Sequence, residues 1–321
     1  MALSGLPRMR MGAPMSDDSF GPARDFIGYG ANRPQFEWPG GAKVALNFVV
    51  NYEEASEYSL ASGDDHQETV GEFQTAVAGP TRDLRTESVF EYGSRIGAWR
   101  LFNLFDALKT PLTVFATAVA LERNPELCEY LARTQHEICA HGWRWSKTWE
   151  LSREEEKARI ILAVETIERL TGKRSVGWNC RNSATVNTRE LLVEIGGFLY
   201  DSDAYNDDLP YIARVGDRDH LVIPYTVVHN DMRFVTGTGY GSPSDFSEVC
   251  KKSLDYLLDG ASEGSSMMSV GVHARYSGQP SRAAALRDFV RYAMSRKEVW
   301  ITRRVDIAQF WRQEVGHAQE P

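Results

Sequence analysis

Short apolar runs alternate with amphipathic stretches along most of this chain. Residues 43–51 (KVALNFVVN), 112–118, 137–140, 175–178, 198–200, 221–228, 267–272 and 299–302 are rich in β-branched and aromatic residues and predict strands. Between them lie helical patterns. Residues 95–108 carry Ile96, Trp99, Leu101, Leu104, Phe105 and Leu108 at helical spacing. Asn124-Pro125 opens a short helix to 133, with proline at its first position. Ser152 and Glu155 form a capping box that starts a helix running to 170 and stopping at Gly172. Residues 188–195, closed by Gly196-Gly197, and 245–258, 282–294 and 305–311 complete the helices. Residues 55–90 and 204–220 read as polar loops, and 16–42 as an ordered irregular arm bearing Phe26, Tyr29, Phe36 and Trp38.

Alternating strands and helices predict a mostly parallel sheet with helical crossovers. Seven or eight such units fit an α/β barrel better than an open sheet. The expectation is one barrel domain over 16–321, with 1–15 as a disordered N-terminal extension. No GxGxxG follows the first strand and no Walker loop appears, which removes the best evidence for a nucleotide-binding fold.

The strands end in polar clusters. The stretch HEICAHGWRW, 136–145, places His141, Arg144 and Trp145 just past a strand. Glu53 and Glu54 follow the first strand, Arg181 and Asn182 the fourth, Asp201 and Asp203 the fifth, Asn230 and Asp231 the sixth, and His273 and Arg275 the seventh. Barrel sites gather at the carboxyl ends of strands, so these groups are candidates for one site. Neighbouring strand residues face opposite ways, so one of Glu53 and Glu54 should point at the mouth. His136 lies an odd five residues before His141 and should face away; His220 and His229 read as structural. A carboxylate and a histidine over one cavity suit hydrolysis: one takes a proton from water, the other gives one to a leaving nitrogen or oxygen. Arginines there would bind an anionic or carbonyl-rich substrate or steady an oxyanion.

Composition narrows the classes. The chain has 321 residues, 42% hydrophobic and 25% charged, with a net charge of −8. That is ordinary for a globular protein, and the acidity argues against a nucleic-acid partner. No apolar run approaches the roughly 18 residues of a membrane span. Four scattered cysteines without a CxxC pair suggest reduced thiols, and the start lacks a long apolar core, so a cytoplasmic protein with no secretory signal is expected.

These motifs resemble the polysaccharide deacetylase (NodB-homology) superfamily, whose fold is a distorted (β/α) barrel. Its TFDD motif is matched by Asn51-Tyr52-Glu53-Glu54, its H[ST]xxH metal motif by His141-Gly142-Trp143-Arg144-Trp145, and its last catalytic histidine by His273. Trp145 stands where that family has its second metal histidine. The resemblance is closest to the metal-independent allantoinase branch, through the DxIGYG motif at Asp25 to Gly30, EYGSRxGxWRL at Glu91 to Leu101, HEICxHGxRW at His136 to Trp145, and matching stretches at 196–211, 220–234, 269–282 and 303–311. It implies a hydrolase that opens a cyclic amide, without metal or other cofactor, acting as a homo-oligomer on a small molecule. Glu53, Glu54, His141 and His273 would be catalytic. Arg144, Trp145, Arg181, Asn182, Asp201, Asp203 and Arg275 would bind substrate. The run 179–186 departs from that branch's pattern at a strand end, so the substrate is expected to be allantoin or a related ureide or imide. The alternatives are a metal-dependent N-deacetylase of a sugar or peptidoglycan and a non-catalytic binding protein of the same fold. The arm and the 55–90 loop are expected to pack on another subunit.

Overall fold

The run VALNFVVNY forms β1 (Val44–Tyr52), buried at every position. β-Branched and aromatic residues fill it because helices cover one face and the barrel interior the other. In this computed structural model, which describes residues 21–73, 77, 79–237, 239–260 and 264–315, the chain continues through α1 (Leu84–Tyr92), α2 (Ala98–Ala107), β2 (Thr113–Ala116), α3 (Ala118–Glu122), α4 (Pro125–Arg133), β3 (Glu137–Ala140) and α5 (Arg153–Thr171). Then come β4 (Gly177–Trp178), α6 (Thr188–Ile195), β5 (Tyr200–Asp201), β6 (Tyr211–Val215), β7 (Arg218–Val222) and α7 (Pro243–Asp259). β8 (Ser266–His273), α8 (Ala274–Ser277), α9 (Pro280–Met294), β9 (Val299–Thr302) and α10 (Arg304–Phe310) close the chain. The segment 1–15 lies outside the described residues.

The strands form one curled sheet in the order β6-β7-β5-β4-β3-β2-β1-β8, a distorted (β/α) barrel. Neighbours in this order are parallel except the β6–β7 pair. β8 runs along β1 from Val44 to Asn51, so β9, at Val44–Asn47, and β2, at Val49–Tyr52, divide the other edge of β1 between them. The sheet is left open beside β8, where the bridge Asn230–Gly271 ties the chain after β7 to it.

Two regions differ from the pattern-based expectation. The 204–220 loop contains β6 and the start of β7, which brings the sheet to nine strands. Its positions alternate half-buried and exposed and carry Arg214, Arg218 and Asp219, so no apolar run marks it. The strand expected over 221–228 stops at Val222 because Pro224 has no N–H to donate to a ladder. The 55–90 loop is also shorter than expected. Asp83 caps α1 by accepting from Arg85 and Thr86 N–H, and the helix then continues through a π-turn at Gly93–Gly97 into α2.

Alternation along the strands sorts two cores. Outward residues such as Leu46, Phe48 and Val50 pack under the helices with Phe102, Phe105 and Phe289. Inward residues such as Ala45, Val49, Phe115, Cys139 and Tyr200 fill the barrel, with Trp38 and Trp311 as its lower plug. Above the plug, the buried Arg304 guanidinium donates to Asn47, Ser269, Ser202 and the carbonyl of Pro224. Above that lie Phe115 and Tyr225, and Asn51 donates to the Tyr225 hydroxyl. The polar strand ends sit on top of this filled barrel. All four cysteines are buried and unpaired. Among the described residues, no helix is long and apolar enough to cross a membrane.

Candidate active site

Strand register sets the geometry of the mouth. Tyr52 is opposite Ala116 and Ala116 opposite Ala140, so the next residues, Glu53, Thr117 and His141, stand in one row. Asn51 is opposite His273 on the other side of β1. Four buried groups converge there. His141 Nε2 lies 3.1 Å from Glu53 Oε1. His273 Nε2 lies 3.7 Å from the same oxygen. Arg275 Nη1 donates to Glu53 Oε2 at 2.8 Å.

Each histidine has its second nitrogen fixed. His141 Nδ1 donates to the Asn179 carbonyl at 3.0 Å. A carbonyl only accepts, so Nδ1 carries a hydrogen and the contact from Nε2 to Glu53 holds one shared proton. His273 Nδ1 is 2.6 Å from Asp231 Oδ1. Asp231 is itself fixed by the N–H groups of His273 and Ser277. A carboxylate behind Nδ1 sets the tautomer and leaves Nε2 facing the mouth. Burial alone would push the Glu53 carboxyl up, but Arg275, His273 and His141 outweigh it and hold Glu53 well below the usual range.

Glu54 turns the other way, as its neighbour position requires. It accepts from the N–H groups of Glu53 and Arg275. Gly93 packs on it so closely that a Cβ there would lie 2.5 Å from Glu54 Oε1. Burial raises Glu54, with Arg275 opposing and Glu53 adding to the rise. Of the two adjacent glutamates, Glu53 is the one in the cluster.

The remaining candidates form a wall. Trp145 is buried and stacks on Arg181, whose guanidinium carbon is 3.6 Å from the ring centre. Arg181 pairs with Glu68 at 2.7 Å and Arg144 pairs with Asp64, so both arginines anchor the 55–90 loop. Arg275 is caged by Phe90, Trp145 and Tyr276. Asp203 accepts from Cys180 N–H and the Asn179 side chain. The structure does not bring Asn182 or Asp201 into the cluster. Asn182 is exposed, in left-handed backbone with φ 57°. Asp201 pairs with Arg189 at 2.6 Å and with His220 at 3.1 Å. His136 faces outward onto Asp106 and Tyr130.

The donor set does not suit the family's metal. An indole N–H has no lone pair, so Trp145 cannot replace a histidine ligand. Both nitrogens of His141 are engaged, and the permanently charged Arg275 sits 2.8 Å from Glu53 and 3.6 Å from Glu54. A divalent ion beside those carboxylates would face that guanidinium.

The polysaccharide deacetylase family model matches residues 79–196. A Schizosaccharomyces pombe protein named as a polysaccharide deacetylase is 34% identical over 294 residues, 85% of this chain and 92% of its own. A Pseudomonas aeruginosa PAO1 structure, also named as a polysaccharide deacetylase, superposes with a TM-score of 0.87 at 43% identity, over 91% of this chain and 98% of that one. The structure of PuuE allantoinase superposes with a TM-score of 0.86 at 42% identity, over 93% and 98%. Shared fold, motif order and full-length similarity place this chain in the polysaccharide deacetylase (NodB-homology) family, as a deacetylase-family hydrolase acting on C–N bonds.

Proposed function

We propose that this chain hydrolyses a C–N bond of a cyclic amide, with allantoin or a related ureide or imide as substrate. The observation that carries the reading is the Arg275 guanidinium set on Glu53 and Glu54, with Trp145 beside it. A metal-dependent deacetylase needs that place for its ion. The 42% identity to PuuE allantoinase supports the same reading.

Glu53 Oε1 and His273 Nε2 are 3.7 Å apart, too far for a direct hydrogen bond and close enough for one water to touch both. Glu53, kept ionised, orients that water toward the carbonyl carbon. The Arg275 guanidinium that helps keep Glu53 ionised also makes it a weak base, so the proton passes to the unprotonated Nε2 of His273. His273 then gives it to the departing ring nitrogen, while Asp231 holds the imidazole in place. The oxyanion forms in a buried, cation-lined site with little reorganisation cost. Without a metal to acidify water, the substrate's carbonyl must itself be electrophilic, as in hydantoins and imides.

The test is a hydrolysis panel of allantoin, hydantoins, cyclic imides and acetylated sugars, each with and without chelator. Ring opening that persists in chelator is the expected result. Release of acetate from acetylated sugars, with the cyclic amides untouched, would overturn the reading.

A further inference from the structure

One half-buried residue at the mouth, Asp203, has no place in that mechanism. Asp203 Oδ1 accepts from Cys180 N–H at 2.7 Å. That N–H belongs to the peptide unit whose carbonyl, on Asn179, accepts from His141 Nδ1 at 3.0 Å. In a trans peptide the N–H and C=O point in opposite directions, so the three groups form one chain: carboxylate, peptide, imidazole. Bonds in such a chain polarise one another. The peptide is held from the sides as well. Asn179 N–H donates to the Ala140 carbonyl at 3.0 Å, and the Asn179 side chain donates to Ser202 O and to Asp203 Oδ1 at 3.2 and 3.1 Å. Asp203 Oδ2 is buried without a partner, so nothing neutralises this carboxylate directly.

We propose that Asp203 is a positioning residue that acts on His141 through the Asn179–Cys180 peptide, and that its negative charge keeps the proton shared by His141 and Glu53 on the histidine. This inference rests on the proposed hydrolytic site. It gives Asp203 a role different from substrate binding. With the proton on His141, Glu53 stays a full carboxylate able to accept from water. Without the Asp203 charge, the proton moves toward Glu53 and the water loses its acceptor.

Asp203 is suited to be a charge that varies. Burial and the neighbouring Asp201 push it up to about 7, with the Cys180 and Arg189 contacts opposing. Tyr205 and the Cys180 and Cys139 thiols are the other titratable groups facing it. Its charge is therefore present above about pH 7 and lost below.

The test follows His141 directly. In protein labelled with 15N-histidine, the His141 signals are assigned by their loss in His141→Gln. In the unmodified chain they should show a step as pH passes through about 7. In Asp203→Asn, which can still accept from Cys180 N–H but has no charge, Nε2 should move toward its unprotonated position and the step should vanish. With the substrate found in the panel, kcat should fall about tenfold, a fraction of what a positioned acid–base group contributes. KM should stay within about twofold. His141 signals that are flat through neutral pH in the unmodified chain, or unchanged in the variant, would overturn the proposal. Signals that move in a protein that hydrolyses no cyclic amide would keep the relay and remove the substrate reading instead.

Discussion

Arg275 and Glu53 meet at 2.8 Å with both side chains sealed from solvent. The guanidinium neutralises a carboxylate at the mouth of the barrel, and it touches Glu54 as well. Arg275→Gln should therefore do two things. It should destabilise the fold by about 3–5 kcal/mol, because it leaves buried carboxylates uncompensated. It should also let the Glu53 carboxyl rise from its depressed range, so activity moves to higher pH. Denaturant melting and the pH profile of kcat/KM read the two effects separately.

Asp231 stands behind His273 as a buried carboxylate, 2.6 Å from Nδ1. Asp231→Asn can present an N–H to that nitrogen and so favour the wrong tautomer. The expected loss is about a hundredfold or more in kcat, the scale of a misplaced acid–base group. KM should change little. A kcat within about threefold of the parent would remove His273 from the proton path.

Glu57 is buried near Glu54 with no partner for Oε2. Burial, with Glu54 adding to it, pushes its carboxyl up from 4.5 to about 7. A raised carboxyl contributes stability that is complete below the unfolded value and lost as pH rises through the folded one. The window is therefore about pH 4.5 to 7. At roughly 1.4 kcal/mol per unit, the swing is on the order of 3 kcal/mol. Glu57→Gln should remove that slope, so the variant gains on the parent between pH 5 and pH 8. Parallel melting curves across this range would show that Glu57 is not protonated in the folded state.

The site was legible in the sequence where a strand delivers a residue directly. Glu53, His141 and His273 follow apolar runs, and strand alternation turns Glu53 and Glu54 to opposite sides. Asp231 was visible as a strand-end acid, but its pairing with His273 depends on the bridge between Asn230 and Gly271, which no local pattern encodes. Arg144, Arg181 and Asp201 were placed at the mouth by the same strand-end logic. Their partners, Asp64, Glu68 and Arg189, lie in a loop and a helix whose docking is tertiary. The hairpin β6–β7 went unread because an edge pair needs no continuous apolar run.

Ion pairs also tie the long loop to the rest of the chain. Asp64, Glu68 and Glu72 bind the long loop to Arg144, Arg181 and Arg282 of its own chain. The arm is different: Phe26 and Ile27 are 78% and 83% exposed, side by side. We propose that a second copy covers them. Light scattering should find a dimer or larger assembly, and Phe26→Asp with Ile27→Asp should reduce it. A clean monomer at micromolar concentration would remove this idea.

The sharpest prediction concerns metal. A catalytic zinc needs about three protein ligands and an open position. The family's trio is reduced here to a carboxylate and His141, and His141 has no free nitrogen. Replacing Trp145 with histidine restores a third donor type on paper, yet it leaves Arg275 on both carboxylates and removes the ring stacked on Arg181. Trp145→His should therefore bind zinc no better than the parent by calorimetry. Only a double change that also removes the Arg275 charge should show any uptake. The unmodified chain, dialysed against a strong chelator, should keep the ring-opening activity proposed above. Full loss on dialysis, restored by zinc, would mean that the carboxylates and His141 rearrange around an ion, and the guanidinium-centred mechanism would fall with it.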